Sequence, residues 1–206
     1  MNYVYFIVFL IFFNLLSVVS TGQQQRFNGG ILAGVAAAEI SGDRLTGPNK
    51  AGIYAGGFVN RYFTDRSSFQ MELDFIQKGS RKNPDTLDNS NFYLLRLSYV
   101  ELFLHYKWDF GQRFTLEAGP SYGVLIKSYE EADGQIFSEP PFNSGDLSGN
   151  IGLFFTLSEH WRFNLRYSNS ILDVRPHSSG QTYHGNRGQY NEVLSFTLHY
   201  QFLGKK

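Results

Sequence analysis

The sequence predicts an all-β fold: an eight-stranded antiparallel up-and-down transmembrane β-barrel that follows an N-terminal signal peptide. Three observations carry that expectation. Eight segments alternate apolar and polar side chains with a period of two, which puts oil on one face of each strand and polar groups on the other. The connections between them alternate short and long, the pattern of tight turns at one barrel end and loops at the other. Aromatic residues make up 17% of the chain, with 20 Phe and 13 Tyr, and gather at strand ends beside the short turns, where an interfacial girdle belongs.

At the front, Tyr3 to Val19 is an apolar run followed by Ser20-Thr21-Gly22 and three glutamines. The small residues suit cleavage before Gln23, so residues 1–22 read as a signal peptide and 23–206 as the barrel domain. Asn14 interrupts the run and argues against a retained membrane-spanning helix. After Gln23 no apolar stretch is long enough for such a helix, but a membrane barrel hides its hydrophobicity in alternation. The formal net charge is zero, so nothing suggests a nucleic-acid footprint. There is no cysteine, which rules out disulfides and thiolate metal sites.

The segments run in order as follows. Phe27 to Ala38 is built of small residues with Gly29, Gly30 and Gly34; Ala51 to Tyr62 sets Tyr54, Gly56 and Phe58 on one side. Ser68 to Lys78 alternates clearly, with Phe69, Met71, Leu73 and Phe75 against Gln70, Glu72 and Asp74. A long hairpin from Phe92 to Lys127 turns at Asp109-Phe110-Gly111-Gln112. Its first strand sets Val100, Leu102, Leu104, Tyr106 and Trp108 against Glu101, Phe103, His105 and Lys107. Leu147 to Leu157, Trp161 to Ile171 and Glu192 to Phe202 complete the set. Short turns fall at 63–66, 109–112 and 158–160, and long polar loops at 39–50, 79–91, 129–146 and 173–190.

Alternation alone also fits a soluble barrel with its apolar side inward. The aromatic residues beside the short turns (Tyr62, Phe63, Trp108, Phe110, Trp161, Tyr200 and Phe202) favour apolar side out. The other face then becomes a filled polar interior, since eight strands leave room for side chains and no continuous channel. Its expected network is Glu72, Asp74, Lys78, Glu101, Lys107, Glu117, Arg162 and Arg166, joined by Lys127. Buried charges need partners, so acids and bases should nearly balance there. Gly119, Gly123 and Gly152 should make room for the long Arg and Lys chains. Arg96 has the parity of the lipid face and must lie above the apolar band or beside a bulge, while adjacent Asn60 and Arg61 blur the second strand.

Three stretches carry a family resemblance: Phe69 to Gly79 (FQMELDFIQKG), Tyr99-Val100-Glu101-Leu102 with Lys107, and Leu116-Glu117-Ala118-Gly119-Pro120 with Gly123. In that order and spacing they resemble the PorT-like outer-membrane β-barrel family of Bacteroidetes-type bacteria. Phe103 stands where that family commonly has proline. The resemblance implies an eight-stranded outer-membrane barrel and raises a link to protein secretion, which rests on fold-level analogy.

No catalytic motif emerges. Asp173, His177, Ser178, Ser179 and His184 in the last loop are the residue types of a rim enzyme, yet nothing fixes their geometry. His177 and His184 lack the further spaced ligands of a metal site. The expectation is a non-enzymatic outer-membrane protein without cofactor, a structural or accessory envelope component. Its expected partners are outer-membrane lipid or lipopolysaccharide and other envelope or secretion proteins. The alternatives are a surface binding module working through its external loops and, behind it, a lipid-modifying rim enzyme.

Overall fold

A computed structural model describes residues 27–42, 49–84, 92–137, 141–176 and 188–203. The leader at 1–22 and the loop residues His177, Ser178, Ser179 and His184 lie outside the described residues. The strands are β1 (Phe27–Ser41), β2 (Lys50–Tyr62), β3 (Ser67–Lys82), β4 (Tyr93–Phe110), β5 (Phe114–Ala132), β6 (Gln135–Phe137), β7 (Gly145–Thr156), β8 (Trp161–Ser170), β9 (Arg175–Pro176) and β10 (Gly188–Gln201). Eight of them, without the short β6 and β9, form a ring in the order β1-β2-β3-β4-β5-β7-β8-β10. Every pairing is antiparallel, and β10 closes on β1 from Gly30 opposite Gln201 to Ser41 opposite Tyr190. Closure removes the unpaired strand edges that hydrocarbon could not satisfy. No helix among the described residues is long and apolar enough to cross a membrane, so any crossing is by strands.

The outer wall is oily. Ile31, Val35, Ile53, Val59, Phe69, Met71, Leu73, Leu102, Leu104, Val124, Ile151, Leu165 and Phe196 all stand exposed on it. A continuous apolar surface of this extent suits lipid rather than water. At the short-turn end a belt of rings surrounds it. Phe63, Phe69 and Tyr106 contact edge to face at 5.2 and 5.6 Å, and Trp108, Phe110, Phe114 and Phe155 run on at 6.0, 5.7 and 5.3 Å. Tyr62 is not part of that belt. It shares the inward parity of Asn60 and lies at the barrel floor beside Arg162 and Asp109.

Two devices depart from simple alternation. The β4–β5 register shifts between Ser98 and Tyr99, because β5 carries one residue too many at Ile126. Beyond that bulge parity inverts, so Lys127, expected inside, stands exposed on the outer wall opposite Ser98. The second device extends β5 into the predicted loop. Asp133 (φ 51°) and Gly134 (φ 79°) form a two-residue turn of the primed type that leads into β6. Asp-Gly is the sequence signal for such a turn.

Inside, the lumen is divided by height. The mouth at the long-loop end is lined largely by the apolar Ile40, Leu95, Leu97 and Val193, with Tyr93, Leu125 and Phe142 packed against them, and it also holds the buried Lys50 and Arg175. Tyr54 and Phe58 of β2 and Leu32 of β1 also point inward, so part of the wall is oily throughout. Charge occupies the remaining wall, from β3 round to β8.

Candidate functional site

The candidate site is the charged lumen. Inward parity on five neighbouring strands delivers Glu72, Asp74 and Lys78 from β3, Glu101 and Lys107 from β4, Glu117 from β5, Asp146 from β7, and Arg162 and Arg166 from β8, all buried. Buried acids and buried Lys or Arg number six each among the described residues: Glu72, Asp74, Glu101, Asp109, Glu117 and Asp146 against Lys50, Lys78, Lys107, Arg162, Arg166 and Arg175. They are unevenly spread, since Lys50 and Arg175 lie at the mouth.

Arg166 is the centre of the middle level. Its Nη1 donates to Glu72 Oε2 at 2.8 Å and to Tyr54 Oη at 2.7 Å; its Nη2 donates to Glu72 Oε1 at 2.9 Å and Glu117 Oε2 at 3.2 Å. Its Nε donates to Glu117 Oε1 at 2.8 Å. A guanidinium has five N–H donors, and here each has an acceptor. Its face lies 4.9 Å from the Phe103 ring centroid. In the ring of eight, β8 and β3 stand four strands apart in both directions. The Arg166–Glu72 pair therefore crosses the full width of the lumen.

The knot extends outward from there. Asn164 Nδ2 donates to Glu117 Oε1 at 2.8 Å, and Tyr54 Oη donates to Asp74 Oδ2 at 3.1 Å. Gln70 bonds Glu72 and accepts from Lys107 Nζ at 2.6 Å. Below, Phe154 has Lys107 Nζ 3.6 Å and the Arg162 guanidinium 4.6 Å from its ring centre, while Arg162 Nη2 donates to Thr115 at 2.5 Å. Thr115 in turn bonds Asp109.

A separate cluster sits nearer the mouth. Lys78 Nζ pairs with Glu101 and donates to Asp146 Oδ2 at 2.9 Å. Asp146 also accepts from Ser148 at 3.0 Å, Ser170 at 2.7 Å and Asn191 at 2.8 Å. Glu101 is held differently: neither of its oxygens has an aligned hydrogen bond, so charge alone binds it to Lys78.

Register explains how the acids fit. Asp74 stands directly opposite Gly56, Glu101 opposite Gly123, and Glu117 opposite Gly152. A Cβ built on Gly123 would lie 2.7 Å from Glu101 Oε1, and one on Gly152 would lie 3.0 Å from Glu117 Cγ. The glycines thus house the carboxylates of the facing strand, rather than the long cations the sequence suggested. Gly119 belongs to backbone packing, facing the Leu104 carbonyl and His105 Cα.

Glu72, His105 and Glu117 bring metal-type ligand atoms within 4.8 Å of one another. Arg166 already bonds both carboxylates, so an ion there would have to displace the guanidinium. His199 lies between Phe58 and Phe154, at 5.3 and 4.8 Å between ring centres. Of the rim-enzyme candidates only Asp173 is described; its backbone oxygen accepts from Asn143 at 2.8 Å.

Residues 21–176 match the family described as "Outer membrane protein beta-barrel domain". No curated protein matches the sequence. Among solved structures, Ail, the attachment invasion locus protein of Yersinia pestis, in complex with the heparin analogue sucrose octasulfate, is similar at 13% identity with a TM-score of 0.51, covering 86% of this chain and 99% of that one. Neisserial surface protein A is similar at 12% identity with a TM-score of 0.54, covering 84% of this chain and 97% of that one. At such identities the likeness is one of fold.

Proposed function

Since the chain belongs to the outer membrane protein beta-barrel domain family, and so resides in the outer membrane, we propose that it is a non-enzymatic envelope component. Its barrel is a closed anchor, and its working surface is the long-loop end. One observation carries this reading: Arg166 reaches from β8 to Glu72 on the opposite wall with every donor occupied. Such a brace obstructs the lumen at mid-height, and the largely apolar mouth obstructs it again. A lumen so filled supports stability rather than passage.

The residues shared with the PorT-like motifs fit the same reading. Glu72, Lys78, Glu101, Lys107 and Glu117 are lumen residues, and Gly123 houses one of them, so those motifs describe barrel construction. A role in protein secretion rests on the motifs alone. A second reading, a binding module at the rim, is favoured by the order found there. Arg175 donates to Glu130 at 2.6 and 3.2 Å and to Gln189 at 2.9 Å, and its guanidinium lies 4.1 Å from the Phe142 ring centre. These contacts tie two connections, 129–146 and 173–190, into one platform.

Planar-bilayer recording tests the closed anchor. The reconstituted chain should give no steady openings, and sustained conductance in the nanosiemens range would refute the filled lumen. Pull-down from gently solubilised outer membrane, with residues 133–144 or 177–187 exchanged for short linkers, then separates the readings. Partners lost on exchange support the rim module, and partners kept by the bare barrel support the accessory component. A lipid A or phospholipid profile altered by deletion of the protein would overturn the non-enzymatic assignment.

A further inference from the structure

The bulge in β5 has a consequence on the outside of the barrel. Three cations stand exposed there, on neighbouring strands just above the oily band: Arg81 on β3, Arg96 on β4 and Lys127 on β5. Arg81 is directly opposite Leu94, two residues from Arg96, and Lys127 is opposite Ser98, two residues beyond Arg96. Each successive pair is a diagonal neighbour, roughly 7–8 Å apart at Cα and within reach of one ligand for side chains this long. Without the extra residue at Ile126, Lys127 would point into the lumen. With it, three like charges form a line along the outer wall.

None of the three makes an ion pair among the described residues. Arg81 Nε donates to Asn83 at 2.9 Å. The one described acid on this patch, Glu131, accepts from Tyr129 Oη at 2.7 Å. A fourth cation crowds the same corner from inside: Lys50 is 3% exposed, and its Nζ has no hydrogen-bond partner among the described residues. Burial and, second, the charge of Arg96 bring the Lys50 ammonium down to about 8. Across the rim the charge is opposite, with Glu39 and Glu192 facing each other on β1 and β10. The barrel edge is therefore polarised, and among the described residues its positive side holds three exposed cations against the single acid Glu131.

We propose that Arg81, Arg96 and Lys127 form a docking face for the phosphorylated headgroup of an outer-leaflet glycolipid. The position of the cluster selects a lipid over a soluble polyanion. Immediately below it Leu102, Val124 and Ile126 are exposed on the apolar wall, so an acyl chain and its phosphate meet matching surface along one line. Long loops mark this end as the external one, which makes the leaflet the outer one. The inference rests on the outer-membrane location and is independent of what the loops bind.

Native mass spectrometry of the full chain in detergent tests it, with phosphorylated lipid A and the same lipid A dephosphorylated as probes. The wild type should retain the phosphorylated form preferentially, and Arg81→Gln/Arg96→Gln/Lys127→Gln should lose that preference. At roughly fivefold per cation the loss is about a hundredfold for all three. Single Lys127→Gln should lose about fivefold, which keeps a readout should the triple variant fold poorly. Glu39→Gln, on the far side of the rim, should bind as the wild type does. Equal retention of both lipids by the wild type, or an unchanged preference in Lys127→Gln, overturns the proposal. So does binding of inorganic phosphate or a sulfated oligosaccharide that lipid A fails to displace, since the face would then serve a soluble anion.

Discussion

Three buried cations, taken from mid-lumen to mouth, are held in three different ways. Arg166 has two carboxylates and an acceptor for every donor. Lys78 also has two carboxylates, but only Asp146 is aligned with it, and Glu101 is held by charge without a hydrogen bond. Lys50 has neither a carboxylate nor a hydrogen-bond partner among the described residues. A planar fork can close a network across a lumen, whereas a point charge can only sit among acids and share itself. The difference predicts a steep gradient in what each cation contributes.

The largest effect should come from Arg166→Leu. It strands Glu72 and Glu117 in a buried wall, at a cost of about 3–5 kcal/mol. Arg166→Lys should recover only a minor part, because an ammonium offers three donors without the fork. Urea unfolding in phospholipid vesicles, followed by Trp108 and Trp161 fluorescence, measures both. If Arg166→Lys matched the wild type, the contrast between fork and point charge would fail. Lys78→Met should cost less, about 3 kcal/mol, since Asp146 keeps Ser148, Ser170 and Asn191 and only Glu101 loses its sole tie.

The same gradient should appear in the glycines. Gly152→Ala pushes a methyl against Glu117, which Arg166 and Asn164 fix, and close to the Leu165 carbonyl. Gly123→Ala pushes against Glu101, which a single ion pair to Lys78 holds. Overpacking should therefore cost about 2 kcal/mol at Gly152 and about 1 kcal/mol at Gly123. Equal costs in the same unfolding assay would mean that both carboxylates are equally anchored, contrary to their bonding.

Much of this was legible in the sequence, and what was not has identifiable causes. Parity placed Glu72, Lys78, Glu101, Lys107, Glu117 and Arg166 on one face, because a strand's period is two whatever it packs against. Parity could not say which acid meets which cation, since the Arg166–Glu72 pair depends on ring closure and strand count. Nor could it find the glycines opposite Asp74, Glu101 and Glu117, which requires register. In β1 and β2 the Gly and Ala pattern leaves the two faces alike, so the alternation does not tell that Leu32, Tyr54 and Phe58 turn inward. Tyr62 looked like a girdle residue because it neighbours Phe63, and only its shared parity with Asn60 corrects that. The bulge at Ile126 moved Lys127 outward by one inserted residue, a change that no alternation count can anticipate.

The smallest effect belongs to Lys50, and it is seen in pH dependence rather than in a single stability value. In an unfolded chain this ammonium releases its proton near the usual 10.5, whereas in the folded barrel burial, with Arg96 second, brings that down to about 8. Below about 8 both states hold the proton, and the folded state bears an unpartnered buried charge. Between about 8 and 10.5 only the unfolded state holds it, so stability should rise with pH across that window. Lys50→Met removes the titrating group and should flatten the rise, while gaining stability at pH 7 because no charge then needs solvation. Unfolding midpoints at pH 7, 8, 9 and 10 for wild type and Lys50→Met decide the point. A wild-type curve that stays flat through the window would mean that Lys50 keeps its proton beside an anionic partner, and the mouth would then resemble mid-lumen after all.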